Sequence, residues 1–172
     1  MNRRALWTAF ALCALATLLV PVTAAAFETF DRYPGFSYDI GGSTGFDGSD
    51  TFFEANAALN THLAPWMVWR NSFFYRGGGS GDDFFGLDTS ALFGRRWPVG
   101  ERTGFSLKGG GGYRFTSERQ HAPFAEAGAD LAGDSWRFGV NTKYILYEVV
   151  GSDRENEFLI GVVLSGSTSG RF

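Results

Sequence analysis

From about residue 36 onward the chain is cut into short stretches in which apolar and polar side chains alternate, separated by clusters of Gly, Asp, Ser and Pro. A period of two belongs to an extended strand with unlike faces, so this pattern constrains the fold more than any other feature. Eight such stretches are predicted, at about 36–46, 52–63, 66–76, 84–97, 103–115, 122–132 and 136–147, with the last starting near Phe158. Phe36, Tyr38 and Ile40 oppose Ser37, Asp39 and Gly41 in the first; Trp136, Phe138 and Val140 oppose Arg137, Gly139 and Asn141 in the seventh. The connections are too short for parallel crossovers, which makes the strands antiparallel neighbours. With 24 glycines and 18 phenylalanines in 172 residues, helix is disfavoured.

Alternation alone leaves open whether the apolar face points into a soluble barrel or out into lipid. Three features favour lipid. The polar rows mix charges with Gly41, Gly86, Gly94, Gly110, Gly112, Gly128 and Gly139, as a narrow lumen of eight strands requires and a wet surface does not. Trp66, Trp69, Trp97 and Trp136 all lie beside alternate, short turns, which forms an aromatic girdle at one end. The turns at Ala64-Pro65, Pro98–Gly100 and Gly133-Asp134 are short and most of the others longer, and short turns face the periplasm in such barrels. The expected fold is therefore all-β, an eight-stranded antiparallel up-and-down transmembrane β-barrel.

The N-terminus sets the compartment. Arg3 and Arg4 precede an apolar run from Ala5 to Val20 that ends in Ala24, Ala25 and Ala26. This is the layout of a signal peptide over 1–26, cleaved before Phe27, leaving 27–172 as the barrel domain. Cys13 leaves with it, so no disulfide or thiolate chemistry remains. The mature chain keeps 13 basic against 18 acidic residues, which argues against nucleic acid as a partner. Two separated histidines, His62 and His121, make no metal constellation, and Gly109–Gly112 lies inside a strand and cradles no phosphate; no cofactor is expected.

The run Gly109-Gly110-Gly111-Gly112-Tyr113-Arg114-Phe115, the stretch Phe124-Ala125-Glu126-Ala127-Gly128-Ala129 and the terminal Phe172 resemble the small outer-membrane barrels of the OmpX, OmpA-barrel and opacity-protein group. The resemblance implies bacterial outer-membrane location, a monomer in contact with outer-membrane lipids and lipopolysaccharide, and Phe172 as a signal to the outer-membrane assembly machinery. It also implies relatives that modify lipid A with a His, a Ser and an acid near the outer surface. His121, beside Ser117, Glu118 and Arg119, has those residue types, but a solvated loop is the favoured reading; His62 falls on a polar row as a lumenal hydrogen-bonding group.

The function expected is thus non-enzymatic, a barrel with a side-chain-filled lumen in a structural or interaction role. The alternative is a small gated pore or conduit, for which lumenal Phe52, Phe74, Phe84 and Ile145 speak, and a lipid A-modifying enzyme is more distant. Lumenal charges must pair. The candidate network is Glu54, Arg70, Arg76, Asp88, Lys108, Arg114, Glu126, Asp130, Arg137 and Lys143. Counting outward from the turns sets Glu54 against Arg76, Asn60 opposite Arg70, Lys108 near Asp130, Arg114 close to Glu126 and Arg137 beside Asp130. The loops from Asp47 to Glu157 form an expected acidic outer rim that meets lipopolysaccharide phosphates through divalent cations.

Overall fold

The computed structural model describes residues 35–48, 50–78, 83–118, 120–133, 136–151 and 154–167. The expected signal peptide and Phe172 lie outside these. The strands are β1 (Gly35–Asp47), β2 (Asp50–Ala64), β3 (Met67–Gly77), β4 (Phe84–Pro98), β5 (Gly104–Thr116), β6 (Ala122–Ala132), β7 (Trp136–Ile145) and β8 (Glu157–Ser167). All neighbours are antiparallel and the sheet closes as β8 returns to β1, with Tyr38 opposite Gly166 and Phe46 opposite Phe158. Closure leaves no sheet edge, which is what lets strands stand in hydrocarbon.

The sequence periodicity sets the sidedness. Phe36, Ile40, Phe53, Phe73, Phe85, Trp136, Phe138, Ile160 and Leu164 are among the large apolar side chains exposed on the outer surface, while the charged rows are buried within. So large an apolar exterior exceeds by far what water tolerates, and the fold is a transmembrane one. Glycine is required where strands approach closely: a Cβ on Gly110 or Gly112 would run into the carbonyl oxygens of Ala91 or Thr89 on β4. Those glycines answer to backbone proximity as well as to lumen width.

One expected strand ends early. β7 stops at Ile145, and Tyr147–Val150 form a 3-10 turn closed by Gly151 at φ 74°. Leu146 N–H donates to the Pro123 carbonyl, 2.9 Å away, which folds this segment over the barrel mouth and turns Tyr147 inward to complete burial.

Candidate functional site

The lumen carries two ionic clusters. In the half nearer the long loops, Arg114 is fully buried and grips two carboxylates at once: Nε and Nη2 donate to Asp88 at 2.8 Å each, Nη1 and Nη2 to Glu54 at 2.7 and 2.9 Å. Arg76 donates from Nε and Nη2 to Glu54 at 3.1 and 2.8 Å, and through two 2.6 Å bonds to Glu157. Lys143 Nζ adds a 2.5 Å contact to Asp88, and Arg154 Nε lies 2.8 Å from Glu157. One chain of charges thus joins β7, β4, β5, β2, β3 and β8. Bidentate guanidinium–carboxylate pairs fix geometry as well as charge, which is why Arg dominates here.

Towards the short turns, Arg70 meets Glu126 at 2.5 Å and Asp39 at 3.7 Å. Arg137 donates to Asp39 at 2.8 Å and to Ser165 at 3.0 Å. Lys108 Nζ lies 3.0 Å from Asp130 Oδ2, near enough for an ion pair though out of line for a hydrogen bond, and Ser106 donates to Oδ1 at 2.9 Å. Among the described residues six lumenal acids (Asp39, Glu54, Asp88, Glu126, Asp130, Glu157) therefore face six bases (Arg70, Arg76, Lys108, Arg114, Arg137, Lys143), Arg154 at the rim is shared between Glu157 and Glu118, and Arg96, inward on β4, donates to the Ala132 carbonyl. Neutrality matters because a single uncompensated charge in this interior costs several kcal/mol in order of magnitude.

Apolar side chains interleave with the outer cluster. Phe52, Ala122, Phe124, Ile145, Tyr147 and Leu159 pack together, with Phe74 and Phe84 meeting edge to face at 6.1 Å. The rings also cover the cations: Arg76 lies 3.5 Å from the Phe52 centroid and Arg114 3.8 Å from that of Phe74. The four residues expected to line a conduit are thus packed, the three rings directly against the cations of the network. Between Asn56, Arg70, Asp88 and Asn141 a cavity of 10 Å³ remains. That is room for one water at most. The buried Asn56 Oδ1 and Arg70 Nε, which have no protein partner, belong to two of its lining residues.

Glu54 stands opposite Arg76 and Asn60 opposite Arg70 in the β2–β3 ladder. Three expected placements are corrected. Arg114 faces Ala122 and Glu126 faces Gly110, so the two do not pair; Glu126 takes Arg70 from across the lumen instead. The β5–β6 turn is centred on Glu118, one to two residues before the centre that the expected pairs imply, so the register is shifted and Lys108 reaches Asp130 on the diagonal from its partner Gly128. Arg137 faces Ala132 and reaches β1, leaving Asp130 to Lys108. Glu157, expected on the outer rim, is fully buried as the first residue of β8.

Asp39 and Glu157 were missed as network members. Both share parity with inward neighbours, Ser37 and Leu159, and that parity was the available signal. His62 lies 2.8 Å from the Ser37 hydroxyl. His121 Nδ1 accepts from the Thr116 N–H at 3.3 Å, and Ser117 Oγ from the Phe85 N–H at 3.4 Å. Glu118 lies 3.4 Å from Arg154. These contacts give neither histidine a serine–acid relay among the described residues. Trp66, Trp69 and Trp136 are exposed and Trp97 half-buried, all at the short-turn end.

No family model and no curated protein matches this chain. Solved structures do. The outer membrane enzyme PagL superposes with a TM-score of 0.56 at 12% identity, over 74% of this chain and 97% of that one. A de novo designed transmembrane β-barrel gives 0.54 at 11% identity, over 80% and 98%. The N-terminal β-barrel domain of Pseudomonas aeruginosa OprF gives 0.50 at 10%, over 76% and 96%. At such identities the likeness is one of fold: the chain has the architecture of the small eight-stranded outer-membrane barrels.

Proposed function

We propose that this is a non-enzymatic monomer of the bacterial outer membrane, exported with loss of residues 1–26, whose filled barrel has a structural or interaction role in the envelope. The observation that carries the reading is the filled lumen: among the described residues two clusters of paired charges interleave with packed apolar rings, and the cavity between Asn56, Arg70, Asp88 and Asn141 has room for one water at most. Its outer-membrane neighbours support the location. In planar bilayers the purified protein is expected to show no steady current. A reproducible single-channel conductance would replace this reading with the small gated pore. Mass spectrometry of lipid A from expressing cells should show it unchanged, and altered lipid A would make the protein an enzyme.

Two partners belong to the same reading. Around the long-loop end Asp47, Asp50, Asp83, Glu118, Glu148 and Glu155 outnumber Arg154 among the described residues. Lipopolysaccharide is therefore to be held through divalent cations, so chelator should release it; binding indifferent to chelator overturns this. Phe172 is the proposed signal to the assembly machinery, and Phe172→Ala should reduce the amount reaching the outer membrane.

A further inference from the structure

On the outward rows of the eight strands, the described side chains are apolar, small or neutral, with a single ionised exception, Arg95 on β4. It stands between Phe93 and Trp97 in its own row and opposite Leu107 on β5, which is 46% exposed. Its guanidinium lies over the Trp97 ring, 5.6 Å from the centroid, and Trp97 in turn stacks on Phe105 at 6.2 Å. Among the described residues no carboxylate lies within ion-pair distance of it. The twelve charges of the two lumenal clusters pair with one another, whereas this one, on the lipid side, is matched among the described residues only by an aromatic face.

A guanidinium in a membrane-facing row is tolerated at the interface, where it can reach a phosphate, and grows costly with depth. The Trp97 level at the short-turn end is such an interface. Electrostatics agree, since among the described residues that end carries Arg95, Arg96 and Arg102 against Glu101 alone, the reverse of the opposite end. The planar fork suits two phosphate oxygens. We infer that Arg95, with Trp97 and Leu107, forms a docking site for the headgroup of an anionic phospholipid in the leaflet at the short-turn end, the acyl chain lying along Leu107 and Phe93. This rests on the transmembrane reading and adds a lipid class and a place.

The test uses the mature chain with Trp97 as its one tryptophan (W66F, W69F, W136F), reconstituted in phosphatidylcholine vesicles, with brominated phosphatidylglycerol or brominated phosphatidylcholine as quencher. Phosphatidylglycerol should quench Trp97 at about fivefold lower mole fraction, the effect of one basic side chain meeting an anionic lipid. R95Q should abolish the difference and R95K keep part of it. Equal quenching by both lipids, or a preference that survives R95Q, overturns the site. If neither lipid quenches, the barrel is not in the bilayer and the transmembrane reading fails with it. Should the phenylalanine substitutions unfold the barrel, retention of phosphatidylglycerol by wild type against R95Q in native mass spectrometry decides the same question.

Discussion

Arg114 shows what one residue does in this interior. Its donors are shared between Asp88 and Glu54, which lie on different strands, so its loss leaves two buried carboxylates short of charge. Arg114→Ala is expected to cost about 3–5 kcal/mol, read from urea unfolding of the barrel in lipid vesicles. Lys143→Ala should cost markedly less, because Asp88 then still holds both Arg114 bonds. The inner cluster orders its members in the same way. Asp39 serves Arg137 and Arg70, both well buried, whereas Asp130 serves Lys108, whose side chain is 15% exposed. Asp39→Ala should therefore lower stability more than Asp130→Ala; the opposite order would mean that the Lys108–Asp130 pair is the tighter anchor.

At the scale of elements, the β7–β8 connection behaves as a cap held by one ring. Tyr147→Ala removes that ring from the apolar layer and should cost about 3–5 kcal/mol, as large aromatic truncations in cores do. Tyr147→Phe is a sharper test. The phenolic oxygen is buried without a partner, so deleting it should be neutral or slightly stabilising. Burial, and then the nearby Glu157 carboxylate, push the Tyr147 pKa up from 10.0 to about 12. The unfolded chain thus loses this proton first, and stability falls as pH rises from about 10 towards 12. Tyr147→Phe should flatten that alkaline loss, visible in unfolding curves at pH 9 and 11.5. An identical alkaline slope in both proteins would place the ionising group elsewhere.

For the whole molecule, two sets of side chains fill the outer half of the lumen together, packed apolar rings and an ionic cross-brace. Removing rings alone should leave bilayer current at zero, because the chain of charges from Lys143 to Arg154 still crosses the section. A Tyr147→Ala, Phe84→Ala double variant therefore tests which barrier closes the barrel. Steady current from it would mean that the aromatic cap is the seal and that the charges merely line a hydrated passage. The exterior is the complement of this interior, nearly uncharged across all eight strands, with its ends of opposite sign.

Strand number, strand limits within a residue or two and the side of the sheet each residue takes were legible in the sequence. A period of two assigns faces from local spacing alone, and a tight turn such as Ala64-Pro65 determines register along its hairpin, as far as Glu54 and Arg76. Longer connections do not. The β5–β6 register differs because the alternation fades in the polar loop and does not mark the turn centre, which lies at Glu118, and Arg114 takes Glu54 and Asp88 in place of Glu126. Glu157 sits at the end of a stretch whose polar composition resembles a loop, although its parity with Leu159 points inward, and Tyr147 reaches the interior from a 3-10 turn where an extended strand was expected. The lumenal partnerships were beyond the sequence for a deeper reason: Arg70 with Glu126, Arg114 with Glu54 and Arg137 with Asp39 span a circular section, joining strands that are not neighbours. The sequence determined which side chains face inward and that their charges must balance; closure of the sheet decided which acid meets which base, because only closure sets the distances across the lumen.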